Sequence, residues 1–108
     1  MWIETYSGIL VNTDKLASIQ KSYDWYYDGT ATCGIYGTGT INYLGDHYKL
    51  DKNSICLFSF LDKNAKKVEY IYNHIFKELM DSFSHNTGFI CIPELTEKYS
   101  TEFDEIKE

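Results

Sequence analysis

The apolar positions between Ala65 and Phe83 limit what this chain can become more than any other stretch. Ala65, Val68, Ile71, Tyr72, Ile75, Phe76, Leu79, Met80 and Phe83 recur at steps of three and four, which at 3.6 residues per turn gathers them on one broad helical face. Lys63, Lys66, Lys67, Asn73, Lys77, Glu78 and Asp81 fall on the other side. Asp62 or Asn64 is placed to accept from the free amides of the first turn, and His85 with Asn86-Thr87-Gly88 supplies a cation and a stop at the far end. A helix with so wide an apolar face cannot bury it alone, so a second layer must cover it.

The rest of the chain reads as that layer. Trp2 to Tyr6 and Ile9 to Val11 are β-rich runs around Ser7-Gly8, a hairpin, and Asn12-Thr13-Asp14 is a second turn. A third strand follows from Leu16 to Tyr23, with Ala17, Ile19 and Lys21 facing opposite to Leu16 and Ser18. Thr30 to Tyr36 is a strand, and the glycines after it mark a bulge or a sheet corner. Thr40 to Tyr43 and His47 to Leu50 form a hairpin about Leu44-Gly45-Asp46, closed by Asp51-Lys52-Asn53. Ser54 to Leu61 is apolar almost throughout and is expected as a central strand covered on both faces; Gly88 to Ile92 is the last strand, ended by Pro93. The expected fold is α+β: a twisted antiparallel sheet of about five to seven strands against one long helix. Residues 1–93 make one domain and 94–108 an acidic C-terminal segment, where Leu95, Tyr99, Phe103 and Ile106 recur at helical spacing and predict a short amphipathic helix.

The opening residues Trp2, Ile3, Thr5, Gly8, Leu10, Val11, Asn12, Asp14, Ser18 and Ile19, in the pattern W-I-x-T-x-x-G-x-L-V-N-x-D-x-x-x-S-I, resemble a loosely defined group of short phage and mobile-element proteins of Gram-positive bacteria. The resemblance spans about the first 20 residues. It implies a small β-meander followed by a helix and a phage or mobile-element context, and it carries over no activity and no site residue.

Composition removes several function classes. The formal net charge is −6 and the ten basic residues are all lysine; arginine, the usual fork for phosphate and guanine edges, is missing, which argues against direct nucleic-acid binding. Residues 94–108 hold six acids against two lysines, net −4, leaving −2 for the other 93. Basic partners are therefore expected. No apolar run approaches the roughly 20 residues of a membrane span, and Met1-Trp2-Ile3-Glu4 lacks the pattern of a signal peptide; the expectation is the cytoplasm of a bacterial host. Cys33, Cys56 and Cys91 have no CxxC spacing and sit among apolar neighbours, as free buried thiols do. His47, His74 and His85 are scattered, and Gly34 to Asn42 fails the G-x-G-x-x-G pattern because Asn42 stands where the third glycine would be. No cofactor, metal or catalytic set is expected.

Two segments remain as candidates for function. Tyr23, Asp24, Trp25, Tyr26, Tyr27 and Asp28 lead into the Asp28-Gly29 turn, where large rings with few rotors suit recognition, the alternative being that alternate rings fold back on the helix or pair across the hairpin. Glu94, Glu97, Glu102, Asp104, Glu105 and Glu108 line the polar side of the terminal helix. Together they predict a non-enzymatic binding module that anchors by its rings and offers its acids to a basic surface. In the phage context that surface belongs to a host defence or nucleic-acid-handling protein, as with anti-CRISPR inhibitors. The alternatives are a small-ligand or nucleotide-binding protein or small enzyme with the tyrosines lining a pocket, and a homo-oligomeric structural protein such as a homodimer.

Overall fold

A computed structural model describes residues 1–26, 28–44, 49–85 and 88–107, with side chains throughout except at 15, 40–44, 49–53 and 107. The chain is α+β, with strands β1 (Trp2–Glu4), β2 (Leu10–Asn12), β3 (Leu16–Trp25), β4 (Ala31–Leu44) and β5 (Lys49–Asp62), helix α1 (Ala65–His85), strand β6 (Phe89–Cys91) and helix α2 (Ile92–Lys107). The six strands join in one sheet of order β3-β4-β2-β1-β6, with β5 on the other edge of β4. Every pairing is antiparallel except β1 with β6.

The β1–β2 hairpin turns on Gly8 at φ +85, the left-handed region that a side chain disfavours. Buried Thr5 anchors the loop, its hydroxyl meeting Ser7 and accepting from the Ile9 amide. Asn12 then accepts from the Asp14 amide and caps a single 3-10 turn, Thr13–Lys15. That turn delivers the chain back to the same edge of β4, so β2 and β3 lie end to end along it. Of the two expectations for Gly37 and Gly39, a bulge or a sheet corner, the structure has the bulge: the register shifts between Thr38 and Ile41 and the strand runs on through it. Asp51, Lys52 and Asn53, expected as a closing turn, lie inside β5. The central strand is β4, which has partners on both edges, rather than Ser54 to Leu61.

Two bulges decide which side chains face α1. In β3 the register shifts between Leu16 and Ser18, so Ala17 is the extra residue and Leu16 and Ile19 share the inner face, against the alternation expected from sequence. Ile19, Lys21, Tyr23 and Trp25 are paired with Gly37, Ile35, Cys33 and Ala31. In β5, Ile35 faces Phe58 while Tyr36 faces Cys56, which leaves Leu57 as the extra residue; Leu57 and Phe58 are consecutive and both fully buried. The Leu57 carbonyl, outside the ladder, accepts from the Tyr6 amide at 3.0 Å.

Against this face α1 sets Val68, Ile71, Tyr72, Ile75 and Leu79, completing a core with Ile3, Val11, Ile35, Leu57, Phe58 and Ile92. Each such side chain, fully buried, contributes about 1.5–3 kcal/mol. Asn64 caps the helix, its side-chain oxygen accepting from the Lys66 and Lys67 amides, while Asp62 accepts from Asn64. At the other end the imidazole Nδ1 of His85 lies 2.8 Å from the Asp81 carbonyl. Asn86 and Thr87, expected in the stop, lie outside the described residues, as do Gly45 and Asp46 of the expected hairpin turn and His47 and Tyr48 of the strand after it.

Pro93, expected to end the last strand, instead occupies the second position of α2, where its missing N–H costs no helical bond. The strand passes into the helix without a loop. Tyr99 of α2 is buried against α1 and donates to the Glu78 carboxylate at 2.6 Å, Phe103 packs on Tyr70 at 5.5 Å, and Tyr99 lies 4.8 Å from the His74 ring. The acidic segment is thus a docked sixteen-residue helix.

Candidate functional site

The hairpin between β3 and β4 places the first candidate segment. Tyr26 donates to the Thr30 carbonyl at 2.8 Å, Gly29 donates back to Tyr26 at 3.1 Å, and Gly29 stands at φ +88. Asp28 accepts from the Thr30 amide at 2.9 Å, a bond that holds its pKa below the ordinary carboxyl range. Asp28 is therefore a turn residue. Asp24, exposed and opposite Thr32, points to the face of the sheet away from α1.

The rings divide by burial. Tyr23 is half-buried, edge-on to Tyr72 with centroids 6.0 Å apart, and its hydroxyl donates to the Ala65 carbonyl at 3.3 Å. Burial first, then the charges of Glu69 and Cys33, push its phenol above the usual range. It is a strut between β3 and α1. Trp25 and Tyr26 are 76% and 55% exposed, far more than large rings need to be for packing. Tyr27 lies outside the described residues.

Beside Trp25 opens a cleft of about 430 Å³ lined by Tyr23, Trp25, Ala65, Lys66, Glu69, Tyr72 and Asn73. Its walls are aromatic and its rim polar. The short Ala65 side chain makes the space, and the outer rim comes from α1 residues one turn apart. A second cleft of about 380 Å³, lined chiefly by Leu16, Ile19, Phe76, Met80 and Phe83, lies further along β3. Between them the Lys21 ammonium sits 4.4 Å over the Phe76 ring. An inward-pointing lysine and a bulge are both devices that keep an edge strand such as β3 from pairing with other chains.

The acids of α2 also divide. Glu94, Glu97 and Glu105 are exposed, and among the described residues none of them forms an ion pair. Asp104 is exposed but lies 3.1 Å from the Lys67 ammonium, so its charge is matched from within the chain. Glu102 is half-buried, bonded to Tyr70, whose phenol rises in pKa through burial first and then through Glu102. Glu108 lies outside the described residues. The hairpin and the end of α2 are brought to the same end of the molecule, because Gly29 approaches the Lys63 carbonyl while Asp104 holds Lys67, both in the opening of α1. Lys66 at the cleft and Lys67 at Asp104 bring two cations to this end, which the sequence alone did not anticipate.

Among the described residues no group of three His, Cys, Asp or Glu side chains could hold a metal ion. Cys33 is buried and its thiol is pushed up to about 12 by desolvation; burial also raises Cys56, whose Sγ donates to the Phe58 carbonyl. Neither is an activated nucleophile. Among the described residues no helix is long and apolar enough to cross a membrane. No protein-family model, no curated protein and no solved structure matches this chain.

Glu69 and Asn73 were missed as site residues. They read as ordinary members of a polar helix face, and only the position of β3 beside them shows that they border a cleft.

Proposed function

We propose that the chain is a non-enzymatic protein-binding module that covers a basic surface on a host defence or nucleic-acid-handling protein, in the manner of anti-CRISPR inhibitors. The observation that carries this reading is the outer face of α2, where Glu94, Glu97 and Glu105 stand exposed on a helix fixed to α1 by Tyr99 and Phe103. From Glu94 to Glu105 is eleven residues, a span of about 16 Å at the helical rise, so the carboxylates form a stripe on a backbone already ordered, and only their side-chain rotamers are left to fix on contact. Trp25 and Tyr26 add apolar anchors at one end of it. The phage context comes from the resemblance of the opening residues.

The test is binding to a basic nucleic-acid-binding protein of the host across a salt series. Removing residues 94–108 would strip a packed layer from α1, so charge neutralisation, Glu94→Gln with Glu97→Gln and Glu105→Gln, is the sharper variant. Affinity should fall steeply between 0.1 and 1 M salt, as the screening length drops from about 10 to about 3 Å, and the triple variant should bind weakly at both. Affinity that is flat in salt, or equal in the triple variant, contradicts the reading. A second reading, a small-ligand sequestering protein, is favoured by the 430 Å³ cleft. A nucleotide held at a hundred times its dissociation constant would then stabilise the fold by about 2.7 kcal/mol.

A further inference from the structure

We infer that the cleft between the end of β3 and the opening of α1 is a seat for one arginine side chain of the basic partner. The inference rests on the binding reading above and names the residue chemistry that the site takes. Three features of the cleft converge on a guanidinium. Trp25, Tyr23 and Tyr72 line it with aromatic surface, and a planar, weakly hydrated cation stacks on such rings more readily than an ammonium does. Ala65 leaves an apolar channel for the three-carbon stem, which arginine buries while its head stays at a polar rim. At that rim Glu69 offers a carboxylate that no lysine takes up among the described residues, and Asn73, one turn further on, offers an amide oxygen. A fork of donors can meet both at once.

The Glu69 charge does face this space, since it is one of the causes that raise the Tyr23 phenol after burial. Trp25 gains an explanation as well. A ring three-quarters exposed at a strand end contributes little to its own fold, whereas a guanidinium seated in the cleft would bury the face it presents there. Lys66 is the opposing term: its ammonium stands on the same rim and repels a cation. The seat therefore works against one lysine, and removing that lysine should improve it.

The probe is a hexa-arginine peptide, with hexa-lysine of equal charge as its comparison. A Trp2→Phe background leaves Trp25 as the sole tryptophan reporter, since the chain has two. Hexa-arginine should change the Trp25 emission and bind at least about fivefold more tightly than hexa-lysine. Glu69→Gln should weaken hexa-arginine about tenfold, the loss of one charged hydrogen bond, and weaken hexa-lysine much less, so that most of the arginine preference is lost. Lys66→Ala should strengthen hexa-arginine several-fold. The Glu94, Glu97 and Glu105 triple variant should weaken both peptides alike and keep the arginine preference. Equal binding of the two peptides, indifference to Glu69→Gln, weakening by Lys66→Ala, or no binding of hexa-arginine overturns the seat. Equal binding that still collapses in the triple variant overturns the seat alone and leaves the acidic stripe standing; a preserved arginine preference with an inert triple variant does the reverse.

Discussion

Truncating Tyr99 separates a docked α2 from a frayed acidic tail. The ring is 6% exposed, lies 4.8 Å from His74, and donates to Glu78 at 2.6 Å. Tyr99→Ala empties an aromatic site between two helices, a loss of about 3–5 kcal/mol for a buried ring. Tyr99→Phe keeps the ring and removes only the hydroxyl; Glu78 is half-exposed, so water replaces much of the lost bond and the cost is about 1 kcal/mol. With a urea dependence of about 2 kcal/mol per molar, the midpoints should move down by about 2 M and about 0.5 M. Unfolding is followed by tryptophan emission, whose reporters Trp2 and Trp25 lie in β1 and β3, and in parallel by far-UV circular dichroism. If α2 belongs to the same cooperative unit as the sheet, the two signals move together in both variants. A Tyr99→Ala protein that loses helical signal at low urea while its emission midpoint stays put would refute the argument, because α2 would then leave without disturbing what it covers.

Other perturbations probe the fold and its ionisation. Gly8→Ala and Gly29→Ala should each lower stability by about 1 kcal/mol, since both stand at positive φ, whereas Gly88→Ala, with nothing within 4 Å of an added Cβ, should leave the thermal midpoint unchanged. Cys33 should resist a thiol reagent at pH 8 until the protein unfolds, because burial raises it to about 12. The same shift fixes the sign of the alkaline limb. The unfolded thiol ionises from about 9 and the folded one does not, so stability is intact below pH 9 and declines as the pH rises towards 12; Tyr23, Tyr72 and Tyr99, raised by burial from 10.0, push the same way. Asp104→Asn should cost about 1 kcal/mol, because the Asp104 carboxylate is exposed although the Lys67 side chain that it pairs with is mostly covered.

Much of this architecture was legible in the chain because it rests on local rules. The α1 stripe, its Asn64 cap and the Gly8 hairpin each announce themselves within a few residues. The bulges at Ala17 and Leu57 do not, since an extra residue depends on what the neighbouring strand offers, and the one at Ala17 reversed the expected facing of Leu16 relative to Ile19. The length of β4 and β5 was hidden for a similar reason: Gly37, Asp51 and Lys52 carry turn chemistry but are paired across the β4–β5 ladder, and Gly39 and Asn53 fall at a bulge that the two strands run through. Pro93 reads equally as the end of a strand or the start of a helix. At the candidate site, composition pointed to the rings and acids but could not sort them. Tyr23 became a strut and Asp104 found Lys67, while Trp25 and Glu94 stayed in solvent, because each outcome depends on which element lies alongside.

The contact surface itself is open to a single reading by amide and indole NMR during titration with an arginine-rich basic peptide. Shifts should concentrate at the Trp25 indole, Tyr26, Glu69 and the outer face of α2 from Glu94 to Glu105, and should fade at high salt. Shifts confined to the opposite face of the sheet, around Gln20, Tyr36 and Cys56, or no shifts at all, would contradict the proposed surface.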